Sequence, residues 1–377
     1  MLRPDEKRLL LLVLVSIVCA ANLTDARLAS GQTSADWREK WKTTLTEAKK
    51  EGRVVVYGPP GERIRNALVE GFKKSFPELN IEYSGAPGGE QATKIRAERD
   101  GGIYSLDVFL SGVSTITKFL KPLKALDPVS PSLILPEVTE LKNWRDARFH
   151  FGDIEGQLNL IFVSMVSPKL IYHPGQVKRE DVDQLDKLLD PKWKGKIVTH
   201  DPLGPGPGRS YYRHVWVALG PEKAMEHFRR IREQAVIDRD QRRAIESVAK
   251  GKYAIFVAPS SGVLEQLRPR GIKFSVLEEF KDIGAHITGS FGSLAAINRA
   301  PHSNAAAVFI NWLLTKEGQL VWSKAMNAVS RRVDVPVDHL PDYSIPKPGG
   351  KYWDSDSEEA QTQTAEEEKI LKELFGR

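Results

Sequence analysis

From Asp36 onward the chain alternates between two hydrophobic periods. "DWREKWKTTLTEAKKEG" carries apolar residues three and four positions apart, opens on an aspartate suited to cap a helix, and stops at Gly52. "RVVVYG" follows as an apolar run too short for a helix, which predicts a buried strand. "ERIRNALVEGFKKSF" returns to the helical period, with Ile64, Leu68, Phe72 and Phe76 on one face. "NIEYSG" is the next strand, "EQATKIRAERDGG" a helix and "LDVFLSG" another strand. Strands alternating with helices across short loops predict a parallel, doubly wound α/β sheet.

The pattern repeats further on. "LNLIFVSMV" and "KLIYHP" read as strands, "REDVDQLDKLL" as a helix and "GKIVTHD" as a strand. Helices over 209–219, 221–234 and 240–250 lead to the strand "KYAIFVAP" and then to "GVLEQLRP"; "IKFSVL" and "GSLAAIN" close the strand series. "NAAAVFINWLLTKEGQLVWSKAM" reads as a helical pair broken at Gly318, in which Trp312 packs, as does Trp193 of "DPKWKG". A proline-rich stretch then precedes a charged helix over 357–375, where "EEAQTQTAEEEK" reads as a solvated face.

In open α/β sheets, ligands sit beyond the carboxyl ends of the strands, where helix starts aim backbone N–H groups outward. Five such ends carry small, glycine-flanked turns: "YGPPGE" (57–62), "SGAPGGE" (84–90), "LSGVS" (110–114), "HDPLGPGPGRS" (200–210) and "APSSGV" (258–263). Any one of them is ordinary turn chemistry. Five, spread over both halves of the chain, predict a ligand cleft.

Composition adds an address. The 377 residues are 28% charged with a net charge of +6, acids and bases interspersed, so no basic block points to nucleic acid. Arg3, Lys7 and Arg8 precede "LLLLVLVSIVCAA", at about 13 residues too short to span a bilayer and flanked like a secretory signal. We expect a signal peptide over 1–21, a polar leader over 22–36, and a soluble periplasmic or secreted product. The single cysteine, Cys19, lies in that signal, where Val18 before it disfavours a lipid anchor. A mature chain without thiols has no cysteine catalysis, zinc-cysteine site or disulfide.

The order of "EAKKEGRVVVYG", "SLDVFLSG", "LLDPKWKGKIVTHDP", "VAKGKYAIFVAP", "NRAPHSNAAAVFINWLLTKEGQLVWSKA" and "SRRVDV" resembles the extracellular solute-binding proteins of ABC importers, in the branch that includes ferric-ion binders. The resemblance spans Trp37 to Asp334. It implies a two-lobed periplasmic-binding-protein fold of type 2, each lobe a doubly wound mixed sheet flanked by helices, with the ligand cleft between the lobes. Lobe one would comprise 37–164 plus 285–330, and lobe two 165–284 plus 331–377. "LNLIFVSMV" and the region Ile283–Gly289 would be the hinge strands. The partners implied are a small-molecule ligand and a membrane ABC permease, with the binding protein itself a monomer.

Ferric members of that branch use histidine, glutamate and two adjacent tyrosines, donors suited to iron. At the corresponding positions stand Pro60 and Gly61, then Ser111 and Gly112, then Pro259, Ser260 and Ser261. The family's iron ligands are therefore absent, and neither a metal nor another cofactor is implied. Tyr211 and Tyr212 are adjacent but lie one helix-strand unit too early. Helical neighbours point about 100° apart, so at most one of them, Tyr211, is expected to face the cleft. "GPGPGRS" lacks the lysine of a phosphate loop, and its prolines remove amides. No nucleophile elbow or zinc-protease motif occurs, so a binding protein is expected rather than an enzyme. His200-Asp201 could bind a metal or act as a base, although a strand-end His-Asp pair is more often a polar turn. The expected ligand contacts are Tyr57, Gly61, Arg63, Ser84, Ser111, Gly112, Asp201, Ser210, Tyr211, Ser260, Ser261 and Phe291. Arg63 and Arg209 at their border would pair with a carboxylate or phosphonate, which favours a small, polar, anionic organic solute. The alternatives are iron held by a different ligand set, or an exported enzyme or receptor domain on the same fold.

Overall fold

The computed structural model describes residues 36–204 and 206–376; the expected signal and most of the leader lie outside them. A first sheet collects β1 (Arg53–Gly58), β2 (Asn80–Gly85), β3 (Val108–Ser111), β4 (Leu126–Asp127), β5 (His150–Phe151) and β6 (Leu160–Ile161). It is completed by a late strand, Ser293–Ile297, which is β14 in chain order. The order is β2-β1-β3-β14-β6-β5, with β4 also on β14; β1 runs parallel to β2 and β3, and β14 antiparallel to β3.

A second sheet is built from β8 (Leu170–Tyr172), β9 (Ile197–His200), β10 (Ala235–Asp238), β11 (Ile255–Val257) and β12 (Ser275–Leu277), in the order β10-β9-β11-β8-β12. Here β10, β9 and β11 are parallel, and β8 is antiparallel to β11 and β12. Between the two lies a small sheet of β15 (Tyr352–Asp354), β13 (Ala285–Thr288) and β7 (Met165–Val166), in that order. These three short strands are where the chain crosses from one lobe to the other.

Each lobe has its own apolar core, as a chain of this length requires. In the first, the helix Glu62–Ser75 buries Ile64, Leu68 and Phe72. Phe72 meets Phe309 and Trp312 edge-on, both at 5.4 Å between ring centroids. In the second, the helix Pro207–Leu219 buries Tyr211 and Tyr212 beside Phe228 and Phe280.

Several local expectations are corrected. "REDVDQLDKLL" forms two 3₁₀ turns, Arg179–Asp181 and Leu185–Leu189, not an α-helix. Acidic side chains take the amides a helix would use: Asp181 accepts from Lys178 N–H and Asp282 from Leu185 N–H. The late helical pair breaks at Thr315, which caps the second helix through Gly318 N–H. Gly318 lies inside that helix, and glycine is needed there because a Cβ would meet the Trp312 carbonyl at 2.0 Å. The charged terminal helix is two helices, Glu358–Gln363 and Ala365–Phe375. Its acidic run is not all solvated, since Glu367 is fully buried. Nor does the tail belong to one lobe: Val337, Leu340 and Ile345 pack in the first core, Leu371 and Phe375 in the second.

Candidate functional site

The parallel strands of the first sheet end at Gly58, Gly85 and Ser111, and each chain turns there into a helical segment. Tyr57 pairs in register with Ser84. The Gln91 side-chain amide ties the carbonyls of Gly58 (3.1 Å) and Ser84 (2.9 Å), fixing these two strand ends side by side. Ser84 itself is exposed. Tyr57 is in the core, 5% exposed, with the Lys94 ammonium 4.8 Å from its ring centroid. Gly61 precedes the helix Glu62–Ser75 at φ 123°, a conformation suited to glycine. Arg63 does not border a cleft, because its guanidinium donates to the Lys324 carbonyl on a neighbouring helix of the same lobe.

Ser111 is 1% exposed and Gly112 half-buried. Their strand is held by Ser293, whose hydroxyl donates to the Ser111 carbonyl at 2.9 Å. Gly88 and Thr115 pack against Ser111: a Cβ on Gly88 would stand 2.5 Å from Ser111 Oγ and 2.8 Å from Thr115 Oγ1. Phe291 is half-buried against the first core.

In the second lobe, the turn after β9 is compact. Gly206 takes φ 128° before the helix Pro207–Leu219, and Gly208 sits where a Cβ would meet the Asp201 carbonyl at 2.6 Å. The Gly208 amide donates to His200 Nδ1 at 3.2 Å, and burial lowers the pKa of His200. Asp201 is occupied, accepting from Leu203 N–H at 2.9 Å and pairing with Arg239. Ser210 donates to Ser355, which follows β15. Ser260 and Ser261, both half-buried, open the helix Ser261–Leu267, and Ser260 N–H donates to Gln241.

The tyrosine pair is corrected outright. Tyr211 and Tyr212 are 1% and 0% exposed, edge-on to each other at 5.4 Å, and both lie in the core. Tyr211 meets Phe280 and Tyr212 meets Phe228 and Phe375, so the helix presents both rings inward despite the angle between them. Burial raises both phenols well above their ordinary pKa. Arg209 is likewise committed, with ion pairs to Glu367 at 2.9 Å and Glu368 at 3.2 Å.

Those last contacts belong to a tail that ties the lobes together. Lys121 of the first lobe pairs with Glu358 at 2.6 Å, and Lys118 with Glu368 at 3.7 Å, while Glu368 also reaches Arg209 in the second lobe. Asp356 accepts from Gly289 N–H at 2.8 Å and from Thr288.

Sequence reading also missed a buried group at the crossing strands. Lys169, 0% exposed, places its amine 2.8 Å from His214 Nδ1 and 2.6 Å from His286 Nδ1. The two imidazoles stack at 5.1 Å. Burial drives the amine well below its ordinary pKa, and burial followed by the Lys169 charge takes His214 down to about 2. The two histidines lie 45 and 117 positions from Lys169 in sequence, so no local spacing signals the cluster.

Among the described residues, no group of three or more His, Cys, Asp or Glu side chains is placed to hold a metal ion. Among them, too, no helix is long and apolar enough to cross a membrane.

Residues 67–339 match the family model of the bacterial extracellular solute-binding proteins. No curated protein matches the chain by sequence. Solved structures share the fold at low identity. FutA (IdiA) of Trichodesmium, in complex with iron and citrate, is 19% identical with a TM-score of 0.65, over 86% of this chain and 100% of that one. Iron-bound HitA from Pseudomonas aeruginosa is 16% identical with a TM-score of 0.64, over 86% and 99%. The periplasmic binding protein AfuA from Actinobacillus pleuropneumoniae, with fructose-6-phosphate bound, is 16% identical with a TM-score of 0.64, over 85% and 97%.

Proposed function

The chain belongs to the bacterial extracellular solute-binding proteins, and from that premise we propose that it captures a small, polar, anionic organic solute between its lobes for an ABC permease. It works outside the cytoplasm as an exported monomer and performs no covalent chemistry on its ligand.

The observation that carries this reading is the arrangement of strand ends. Glycine- and serine-bearing turns at Gly58, Gly85 and Ser111 in one lobe, and at His200 and Val257 in the other, stand at the carboxyl ends of parallel strands. Such ends present helix amides to a ligand. The crossing strands β7 and β13 are short, so the lobes can turn about them on a solute. Anionic character is supported by donor-rich turns and by structures sharing the fold whose ligands include citrate and a sugar phosphate.

The reading is tested by a thermal-shift screen of the purified protein against carboxylates, phosphonates, sugar phosphates, amino acids and polyamines. A solute at 100 times its Kd raises stability by about 2.7 kcal/mol. Response to a polyamine with none to any anion contradicts the assigned charge class.

A further inference from the structure

Resting on the two-lobed capture reading, we infer that the helices Glu358–Gln363 and Ala365–Phe375 form an electrostatic latch between the lobes. Anchored in the second lobe, the latch holds the first through ion pairs and restricts turning about the crossing strands. Both helices lie beyond residue 339, where the family match ends. The chain reaches them through β15, which pairs with β13 of the crossing sheet, and through Asp356, which accepts from Gly289 N–H at 2.8 Å. The latch therefore begins on the hinge itself.

Its two sides are held by different forces. Toward the second lobe the contact is apolar: Leu371 and Phe375 are buried in that core, and Ile370 and Leu374 pack against it. Phe375 meets Tyr212 at 5.4 Å between ring centroids. Toward the first lobe the helices present polar groups. Lys121 reaches Glu358 at 2.6 Å, Ile154 N–H donates to the same carboxylate at 2.9 Å, and Lys118 stands 3.7 Å from Glu368. The Glu358 amide donates to the Gly152 carbonyl at 2.7 Å. A groove of about 410 Å³ lies between Thr117 and Lys118 on one side and Gln361, Thr362, Ala365 and Lys369 on the other. The latch thus bridges to the first lobe across an open groove. Partly exposed ion pairs are weak singly and screened by salt, whereas apolar burial is not. When the lobes turn, the polar side gives first.

Glu368 joins the two lobes directly. It lies 3.7 Å from Lys118 of the first and 3.2 Å from Arg209 of the second. Arg213, one turn further along the Arg209 helix, adds to the positive charge that Lys118 faces. Cations of the two lobes therefore confront one another with tail carboxylates between them, Glu367 also pairing with Arg209. Without those carboxylates, like charges would face each other across the lobes. Lys121 also pairs with Glu155 of its own lobe, so it keeps a partner when the latch opens. Release is reversible by construction, since it exchanges partners and leaves the apolar anchor intact.

The test reads lobe motion in the mature chain without any solute. Lys73→Cys and Lys223→Cys, exposed on one helix of each lobe, carry a pair of spin labels whose separation is measured by double electron-electron resonance. The latch variant is Glu358→Gln with Glu368→Gln, shown to be folded by denaturant melts. We expect its distance distribution to be broader than that of the wild type at low salt. The wild type should broaden toward it in about 1 M salt, where ion pairs are screened. Lys121→Glu should broaden the distribution as well, and adding Glu358→Lys should narrow it again, because the reversed pair restores the attraction. Hydrogen-exchange protection over 365–375 should persist in every variant, since the apolar anchor is untouched. Superimposable distributions for wild type and latch variant overturn the latch. So does a reversed pair that fails to narrow what Lys121→Glu broadened, or loss of protection over 365–375. A solute screen without a hit removes the capture reading and leaves this comparison standing. A solute bound between the lobes, with identical distributions in all variants, removes the latch and leaves the capture reading.

Discussion

The amine of Lys169 lies 2.6 Å from Nδ1 of His286, and among the described residues no carboxylate shares a hydrogen bond with either. Both imidazole Nδ1 atoms that face the amine accept from it, which sets both rings in the Nε2–H tautomer. A neutral amine has two N–H bonds, enough for both Nδ1 atoms, so these contacts need no buried charge, while His286 Nε2 is left without a partner among the described residues.

Lys169→Met tests that account. A lysine whose folded pKa is depressed makes the native state bind fewer protons than the unfolded chain. Stability then rises with pH from the folded pKa up to the ordinary lysine value of 10.5. The variant loses that rise: near neutrality it no longer deprotonates a lysine on folding, a gain that offsets the about 1–3 kcal/mol cost of two unpaired acceptors, and the gain disappears toward pH 10. Denaturant unfolding from pH 7 to 10 measures both effects. A variant that keeps the wild-type slope contradicts a depressed Lys169.

His227 is 2% exposed, neither ring nitrogen has a partner among the described residues, and burial takes it down to about pH 4. The unfolded ring protonates near 6.5 and the folded one does not until about 4, so stability is lost as the pH falls through that window. His227→Leu removes the loss. We expect a gain of about 1 kcal/mol at pH 7, from deleting two unsatisfied polar atoms, and a larger gain at pH 5. Thermal melts at the two pH values decide it; an equal or smaller gain at pH 5 contradicts the assignment.

Glu367 moves the other way. It is fully buried, and burial outweighs the opposing pull of Arg209, pushing its carboxyl up to about 7. An acid with a raised folded pKa stabilises at low pH, and that contribution is lost as pH rises from 4.5 through 7. Glu367→Gln should flatten this part of the curve, while Glu368 keeps Arg209 paired at 3.2 Å. Chemical denaturation at pH 5, 6, 7 and 8 reads the slope; superimposable profiles for the two proteins contradict it.

Tyr211→Phe deletes a buried hydroxyl that has no partner among the described residues. The change should be neutral or stabilising by up to about 1 kcal/mol and leave solute affinity unchanged. A loss of affinity would return this ring to the cleft.

Much of the architecture was legible in the sequence because periodicity reports burial. The strand "RVVVYG" and the helix bearing Ile64, Leu68 and Phe72 form as read. Contacts between distant segments were not legible. Helical geometry separates the directions of Tyr211 and Tyr212, but only the tertiary packing, with Phe280 on one side and Phe228 and Phe375 on another, makes both inward. Arg209 reads as a ligand arginine until the tail supplies Glu367 and Glu368 from about 160 residues away. The turn at 84–90 was legible, whereas the part Gly88 plays against Ser111 and Thr115 depends on a close approach that composition does not report.

The most direct test of the central claim is small-angle X-ray scattering on the purified protein, with and without a solute that raises its Tm. Closure of two lobes on a solute predicts a smaller radius of gyration on saturation, accompanied by hydrogen-exchange protection at 84–90 and 110–114 in one lobe and at 200–210 and 258–263 in the other. An unchanged radius of gyration, with protection confined to one lobe, would contradict capture between the lobes.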